Sequence, residues 1–182
     1  MNVSLRPAQP EDIAAIARIY AEAVTHGTAS FEIEPPSYEE MQRRRQTLLA
    51  GGYPYVVAVI DGQVTGYAYA GPYRARPAYH WSVEDSVYVD PRAQRQGIGR
   101  LLLDRIVDDA QTMGFRQMIA VIGDSAQTPS IELHRAAGFR LIGTIENVGF
   151  KLGHWLDTVL MQRALGEGAA SAPGMPPLQG AG

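Results

Sequence analysis

The passage Val87-Tyr88-Val89-Asp90-Pro91-Arg92-Ala93-Gln94-Arg95-Gln96-Gly97-Ile98-Gly99-Arg100-Leu101-Leu102 constrains this chain more than any other stretch. Alternating residues through Val89 predict a β-strand, Gly97 and Gly99 close a short loop, and the residues from Ile98 predict the first turn of a helix. That turn leaves N–H groups without intrahelical partners, all pointing one way at the positive end of the helix dipole. The result is an anion site, most naturally for a phosphate. Two common phosphate ligands are excluded by residue type. A dinucleotide fingerprint needs glycine at position 102, which is leucine, and a G-x-x-x-x-G-K-[ST] loop needs a lysine followed by Ser or Thr, which is absent.

The chain has 182 residues, enough for one domain that buries roughly 70% of its unfolded surface. A net charge of −3 argues against a nucleic-acid partner, because neutralising phosphates needs a basic stripe. Without cysteine there is no disulfide frame, no thiolate metal site and no cysteine acyl-enzyme, so group transfer must be direct or use a Ser or Tyr nucleophile. The opening MNVSLRPAQPED has no long apolar run and no stretch is long enough to span a bilayer, so a cytoplasmic protein without a membrane partner is expected.

Local signals order the rest. A strand is predicted over 3–6, then a helix opened by Pro10 with Glu11 and Asp12 and lined by Ile13, Ile16, Tyr20 and Val24. Residues 25–36 read as an ordered loop holding Phe31 and Glu32. Ser37 and Glu40 form a capping box for a helix to about residue 50, whose Arg43-Arg44-Arg45 run is expected on a solvated face. Strands over 55–60 and 64–70 flank the hairpin turn Asp61-Gly62, and a strand over 81–89 delivers the chain to the phosphate loop. After the helix from Ile98 come a strand over 117–122, a short helix from Thr128 to Gly138, and closing strands over 139–146 and 159–161. Residues 147–157 are expected to connect those two strands, either as a loop or in partly extended form. The segment 1–165 is expected to be one domain, and 166–182, rich in Gly, Ala, Pro and Ser, a disordered tail with nothing to bury.

The loop Gln94-x-x-Gly97-x-Gly99 after a V-x-V strand resembles the pyrophosphate loop of the GCN5-related N-acetyltransferase (GNAT) superfamily. Three further strings are similar to its phosphinothricin and methionine sulfoximine acetyltransferase branch: Tyr69-Ala70-Gly71-Pro72-Tyr73-Arg74-Ala75-Arg76 continuing to Glu84, Ser130-Ile131-Glu132-Leu133-His134, and Phe150-Lys151-Leu152-Gly153-His154-Trp155-Leu156-Asp157. The resemblance implies an α/β (α+β type) GNAT fold: a mixed, mostly antiparallel sheet of six to seven strands flanked by about four helices. It implies acetyl-CoA as co-substrate, held by the main chain of Val87, Tyr88 and Val89, by Gln94, Arg95, Gln96, Gly97, Ile98, Gly99 and Arg100, and by Gln127 and Ser130. A small-molecule amine, either methionine sulfoximine, methionine sulfone or phosphinothricin, is the implied acceptor, and a homodimer the implied assembly. Two departures stand out: Gln127 occupies a place where relatives commonly have Asn, and Tyr73 one where Trp is common.

Glu84 is a carboxylate within an otherwise apolar strand, costly to bury unless paired or functional. A salt bridge to Arg74 or Arg76 is the competing explanation. The family implies a general base here, because an amino-acid amine is protonated near neutrality and only its lone pair attacks a thioester. His134, four residues after Ser130 on one side of a short helix, is implied as a second base, a proton relay or the donor to the departing thiolate. Arg74 and Arg76 suit a substrate carboxylate, and Phe31, Glu32, Tyr79 and Lys151 complete the candidate substrate residues. No metal is expected, since the four histidines have no ligand spacing. Two other functions compete: acetylation of a different amine, such as a peptide N-terminus or polyamine, and a non-catalytic module that senses acetyl-CoA.

Overall fold

The computed structural model describes residues 2–178. Seven strands form one sheet: β1 (Ser4–Pro7), β2 (Tyr55–Ile60), β3 (Gln63–Pro72), β4 (Ser82–Val89), β5 (Gln117–Gly123), β6 (Arg140–Lys151) and β7 (His154–Ala164). Four α-helices flank it: α1 (Ile13–His26), α2 (Tyr38–Ala50), α3 (Ile98–Thr112) and α4 (Thr128–Ala136). The spatial order is β1-β2-β3-β4-β5-β7-β6. Neighbours are antiparallel except β4 and β5, which run parallel through the crossover helix α3.

Strand alternation divides the core into two layers. Tyr55, Val57, Tyr67 and Tyr88 face α1 and α2, where Ile13, Ile16, Ile19 and Val24 bury against them. The opposite face carries Val56, Ala58, Ala68, Val83 and Met118 under Leu102, Leu103 and Ile106 of α3. The turn between β2 and β3 uses Asp61 and Gly62 at φ 49° and 77°, the positive pair that a two-residue hairpin requires.

The parallel pair sets up the site. β4 and β5 are in register only at Ser82 with Gln117, Val83 with Met118 and Glu84 with Ile119. Beyond Glu84, β4 continues along β3 to Val89 while β5 continues along β7 to Gly123. The two strands therefore part, and one edge of 85–89 has no sheet neighbour.

Two sequence expectations need correction. Residues 147–157 are not a connection between short strands: β6 and β7 form one long hairpin whose turn, Leu152-Gly153, has φ 52° and 83°. A bulge between Ile145 and Gly149, with Asn147 at φ 52° and its N–H donated to Asp157, breaks the alternation that would have revealed it. The Arg43-Arg44-Arg45 run is not a solvated face as a whole, since Arg45 is buried and donates to the Ala8 carbonyl. Of the tail expected to be disordered, 179–182 lie outside the described residues. Within 166–178, Arg116 donates to Gly168 O and Ser171, and Leu178 packs against the α3-side core.

Candidate active site

The phosphate loop is held from both sides of its start. Asp90, buried at the end of β4, accepts from the Arg92 N–H at 3.0 Å and from Arg18 of α1 at 2.7 Å. The hydrogen bonds from Arg92 draw its carboxyl well below the usual range against the opposing effect of burial, with Arg18 adding to the shift. Arg95 and Gly97 then turn at φ 61° and 79°. The first helical bond runs from Leu101 N to Gly97 O, so the N–H groups of Ile98, Gly99 and Arg100 precede the ladder and have no intrahelical acceptor. At Gly99 a side chain would reach Leu133 of α4 at 3.4 Å, which brings this turn close to the helix that carries Ser130 and His134.

The gap between β4 and β5 encloses a cavity of about 60 Å³. Residues 85–88 and 120–123 form its walls, Gln127, Ser130 and His134 bound it on the α4 side, and Ala29 reaches it from the other. On the α1 side it continues into a groove of about 230 Å³ lined by Tyr88, Val89 and Gln94. The loop 27–36 is pinned over this opening. Lys151 donates to Gly27 O at 2.8 Å and Ser30 O at 2.7 Å, and burial pushes its ammonium below the usual lysine range. The Gln127 amide donates to Thr28 at 2.8 Å. Glu32 accepts from Tyr20 and Arg44, and the Phe31 ring lies between Gly123 and Gly149, where added side chains would collide with it. Glu32, Phe31, Gln127 and Lys151 thus converge on one loop, and their polar groups are engaged within the protein.

Glu84 faces the α2 side of the sheet, in a pocket of about 560 Å³ with Arg43, Arg44, Tyr69 and Ser86. Burial raises its carboxyl above the ordinary range, the charge of Asp85 adds to this, and Arg74 opposes it. The competing salt bridge is not formed: Arg74 lies over the Tyr73 ring at 5.1 Å. Arg76 and Tyr79 are exposed on the β3–β4 loop, with Tyr79 edge-on to Tyr73 at 5.6 Å.

His134 is on the opposite face of the sheet from Glu84. It is buried, with Nδ1 2.7 Å from Ser130 O and Nε2 2.9 Å from Asp85 Oδ2. Burial alone would lower its pKa, but the hydrogen bond and charge of Asp85 and the Ser130 carbonyl outweigh it and raise it. The two groups expected to share the chemistry are therefore brought to the same strand but not to the same side. Asp85 and Arg44 were missed. The signal for Asp85 was the one that singled out Glu84, a carboxylate between apolar strand residues, here Val83 and Val87.

Among the described residues no group of three or more His, Asp or Glu is arranged to hold a metal ion. Comparisons with known proteins agree with the fold. A family model described as an acetyltransferase (GNAT) domain matches residues 5–160. A phosphinothricin N-acetyltransferase of Alcaligenes faecalis is 48% identical over 93% of this chain and 86% of its own length. An L-methionine sulfoximine/L-methionine sulfone acetyltransferase of Salmonella typhimurium is 39% identical over 92% of this chain and 98% of its own. The crystal structure of a GNAT superfamily phosphinothricin acetyltransferase from Sinorhizobium meliloti in complex with AcCoA superposes with a TM-score of 0.93 at 50% identity, covering 96% of this chain and 95% of that one. The fold and these matches define an acetyltransferase-type enzyme. The chain belongs to the GNAT acetyltransferase family.

Proposed function

We propose that this protein transfers an acetyl group from acetyl-CoA directly to the α-amine of a small amino-acid analogue, with methionine sulfoximine, methionine sulfone and phosphinothricin as the substrate class. The observation that carries this reading is that two cavities share one lining residue, Ser86. That residue lines both the gap between β4 and β5 and the Glu84 pocket on the α2 side.

Acetyl-CoA would supply the activated acyl group, a thioester open to attack by an amine. The free edge of 87–89 offers main-chain groups to its pantetheine arm, like an added strand. The N–H groups of residues 95–100 suit its pyrophosphate, and Gln127 and Ser130 border the same channel. Glu84 takes a proton from the substrate ammonium, directly or through one water. Holding both reactants replaces an encounter in solution by a reaction within one complex, a gain of roughly 7 kcal/mol or more when alignment is good. Arg74 and Arg76 are assigned to the substrate carboxylate, with Tyr79 and Phe31 as pocket walls. Arg43 and Arg44 also border the Glu84 pocket, where they pair with Glu40 and Glu32. Glu32 and Lys151 shape the pocket by fixing the loop above it.

We also propose a cytoplasmic homodimer. Val148, Phe150, Leu152 and Trp155 of the β6–β7 hairpin are each more than half exposed, an apolar surface that a second copy would cover. No helix among the described residues is long and apolar enough to cross a membrane. Resistance to toxic amino-acid analogues is the role that follows, because acetylation removes the charged amine by which they mimic amino acids.

Thiol release from acetyl-CoA against methionine sulfoximine, methionine sulfone, phosphinothricin, the common amino acids, spermidine and a short peptide tests the proposal. Saturable turnover confined to the first three supports it. Turnover only with spermidine or the peptide favours a different amine, and CoA binding with no turnover at all favours a sensor.

A further inference from the structure

Gln127 stands at the N-terminus of α4, where a short polar side chain commonly folds back to accept from the first free N–H groups. Its side chain makes no such bond. The amide instead donates from Nε2 to the Thr28 hydroxyl at 2.8 Å, across 99 residues of chain. A side-chain amide has two working ends, and Gln127 Oε1 accepts nothing among the described residues. Gln127 borders both the gap between β4 and β5 and the groove that continues from it on the α1 side. Thr28 is buried, and its carbonyl packs so closely on Gly123 that a side chain there would collide with it.

The loop that leads on from Thr28 reaches the pocket of the other reactant. Ser30 and Tyr20 share a 2.9 Å hydrogen bond, and the Tyr20 hydroxyl donates to Glu32 at 2.9 Å. Arg44 donates to Glu32 at 2.6 Å and lines the pocket that holds Glu84. Among the polar anchors of this loop, Lys151 and Glu32 border neither cofactor-side cavity, whereas Gln127 borders both.

We propose that Gln127 is a positioning residue that couples the two substrates. With acetyl-CoA in the channel, Oε1 accepts from an amide N–H of the pantetheine arm while Nε2 holds Thr28, and the loop 27–36 is fixed in the form that receives the amine. The inference rests on the acetyl-transfer reading above. Hydrogen bonds in a chain polarise one another, so an amide that accepts from the cofactor donates more strongly to Thr28. The cofactor thus has a differential contact with the anchored loop, and by linkage the amine binds more tightly to the loaded protein than to the empty one. Ala29 of the same loop also borders both cavities, but it presents only a methyl group, whose packing would survive loss of the Thr28 hydroxyl.

The test is calorimetry with whichever of methionine sulfone and phosphinothricin the protein acetylates, titrated with and without saturating CoA, which carries the pantetheine arm and no acetyl group. Wild-type protein should bind the amine at least about fivefold more tightly when CoA is present. T28V removes the hydroxyl at nearly constant shape and should bring that ratio to within about twofold of unity, leaving CoA affinity within about threefold. T28S keeps the hydroxyl and should retain the wild-type ratio. Q127A cuts the same link from its half-buried end and gives a second reading should T28V not fold. A loop that is merely loosened would weaken amine binding equally with and without CoA and leave the ratio unmoved. An unchanged ratio in T28V or Q127A, or no enhancement by CoA in the wild type, overturns this inference while turnover still supports acetyl transfer. Absence of turnover with either analogue instead overturns the acetyl-transfer reading, and the coupling with it.

Discussion

Replacing Glu84 by Gln removes the proposed base while preserving its volume. The side chain sits in the pocket shared with Arg44, Tyr69 and Ser86, and burial has already raised its carboxyl from an ordinary value near 4.5 toward the pH at which a base works best. General bases contribute 10²–10⁴-fold, and a base so placed belongs in the upper half of that range, so E84Q should lower kcat about 10³-fold or more. At 1.36 kcal/mol per tenfold, the loss corresponds to about 4 kcal/mol of transition-state stabilisation. Acetyl-CoA affinity, measured by calorimetry, should be unchanged, because the proposed CoA channel lies on the far side of Ser86. Wild-type activity should fall with decreasing pH through a midpoint above 4.5 as Glu84 takes up its proton, and that limb should vanish in E84Q. Stability should move the opposite way. A carboxyl whose pKa is raised in the folded state binds protons more readily there than in the unfolded chain, so its ionisation costs stability as pH rises through the folded pKa. E84Q removes that cost and should melt no lower than wild type at pH 7. An E84Q enzyme within fivefold of wild-type kcat would refute the base assignment, and one melting several degrees lower would refute the account of its burial.

Three further perturbations probe what holds the site. K151M strands the Gly27 and Ser30 carbonyls and should cost about 2 kcal/mol, a Tm fall of roughly 4–8 °C in differential scanning calorimetry. G149A puts a methyl group 2.5 Å from the Phe31 ring, whereas G123A strikes the Thr28 carbonyl as well. Each should destabilise by about 1–3 kcal/mol in urea titrations, and F31A should relieve G149A but not G123A, a difference a double-mutant cycle resolves. D90N keeps one acceptor oxygen but loses the charge and the second acceptor, so either Arg18 or the Arg92 N–H is left facing an NH2 group; it should cost about 1 kcal/mol at pH 7 while raising KM for acetyl-CoA. Because the Asp90 carboxyl is held low in the folded state, its contribution is full above the unfolded pKa and lost as pH falls through the folded pKa, so the stability gap between wild type and D90N should begin to narrow below about pH 4 and keep narrowing with further acidification.

Signals that are local in the chain were legible. The Asp61-Gly62 turn, the Ser37 cap accepting from Glu40 N at 3.2 Å, and the apolar stripes of α1 and α3 need only neighbours within a few residues. The glycine-bounded start of α3 is likewise a local device, which is why its N–H groups without intrahelical acceptors could be read without a fold. What stayed hidden depends on partners far away. Lys151 looked like a substrate contact because no sequence pattern shows that it reaches back 121 residues to Ser30. Arg44 looked solvated because Glu32, which it binds together with Glu40 of its own helix, lies outside that helix. Asp85 was overlooked because alternation assigned its face to Val83 and Val87, and its value emerges only when α4 brings His134 against it. The β6–β7 hairpin was cut short because the bulge at Asn147 interrupts its period.

The central claim is that acetyl transfer is direct, between a donor held in the gap beyond Glu84 and an amine held beside it. Initial-rate kinetics with acetyl-CoA and methionine sulfone both varied test it most directly. Double-reciprocal lines that intersect, with no thiol release in the absence of the amine, are the predicted result. Parallel lines together with a burst of thiol release before the amine is added would contradict it, because they would require an acetylated enzyme.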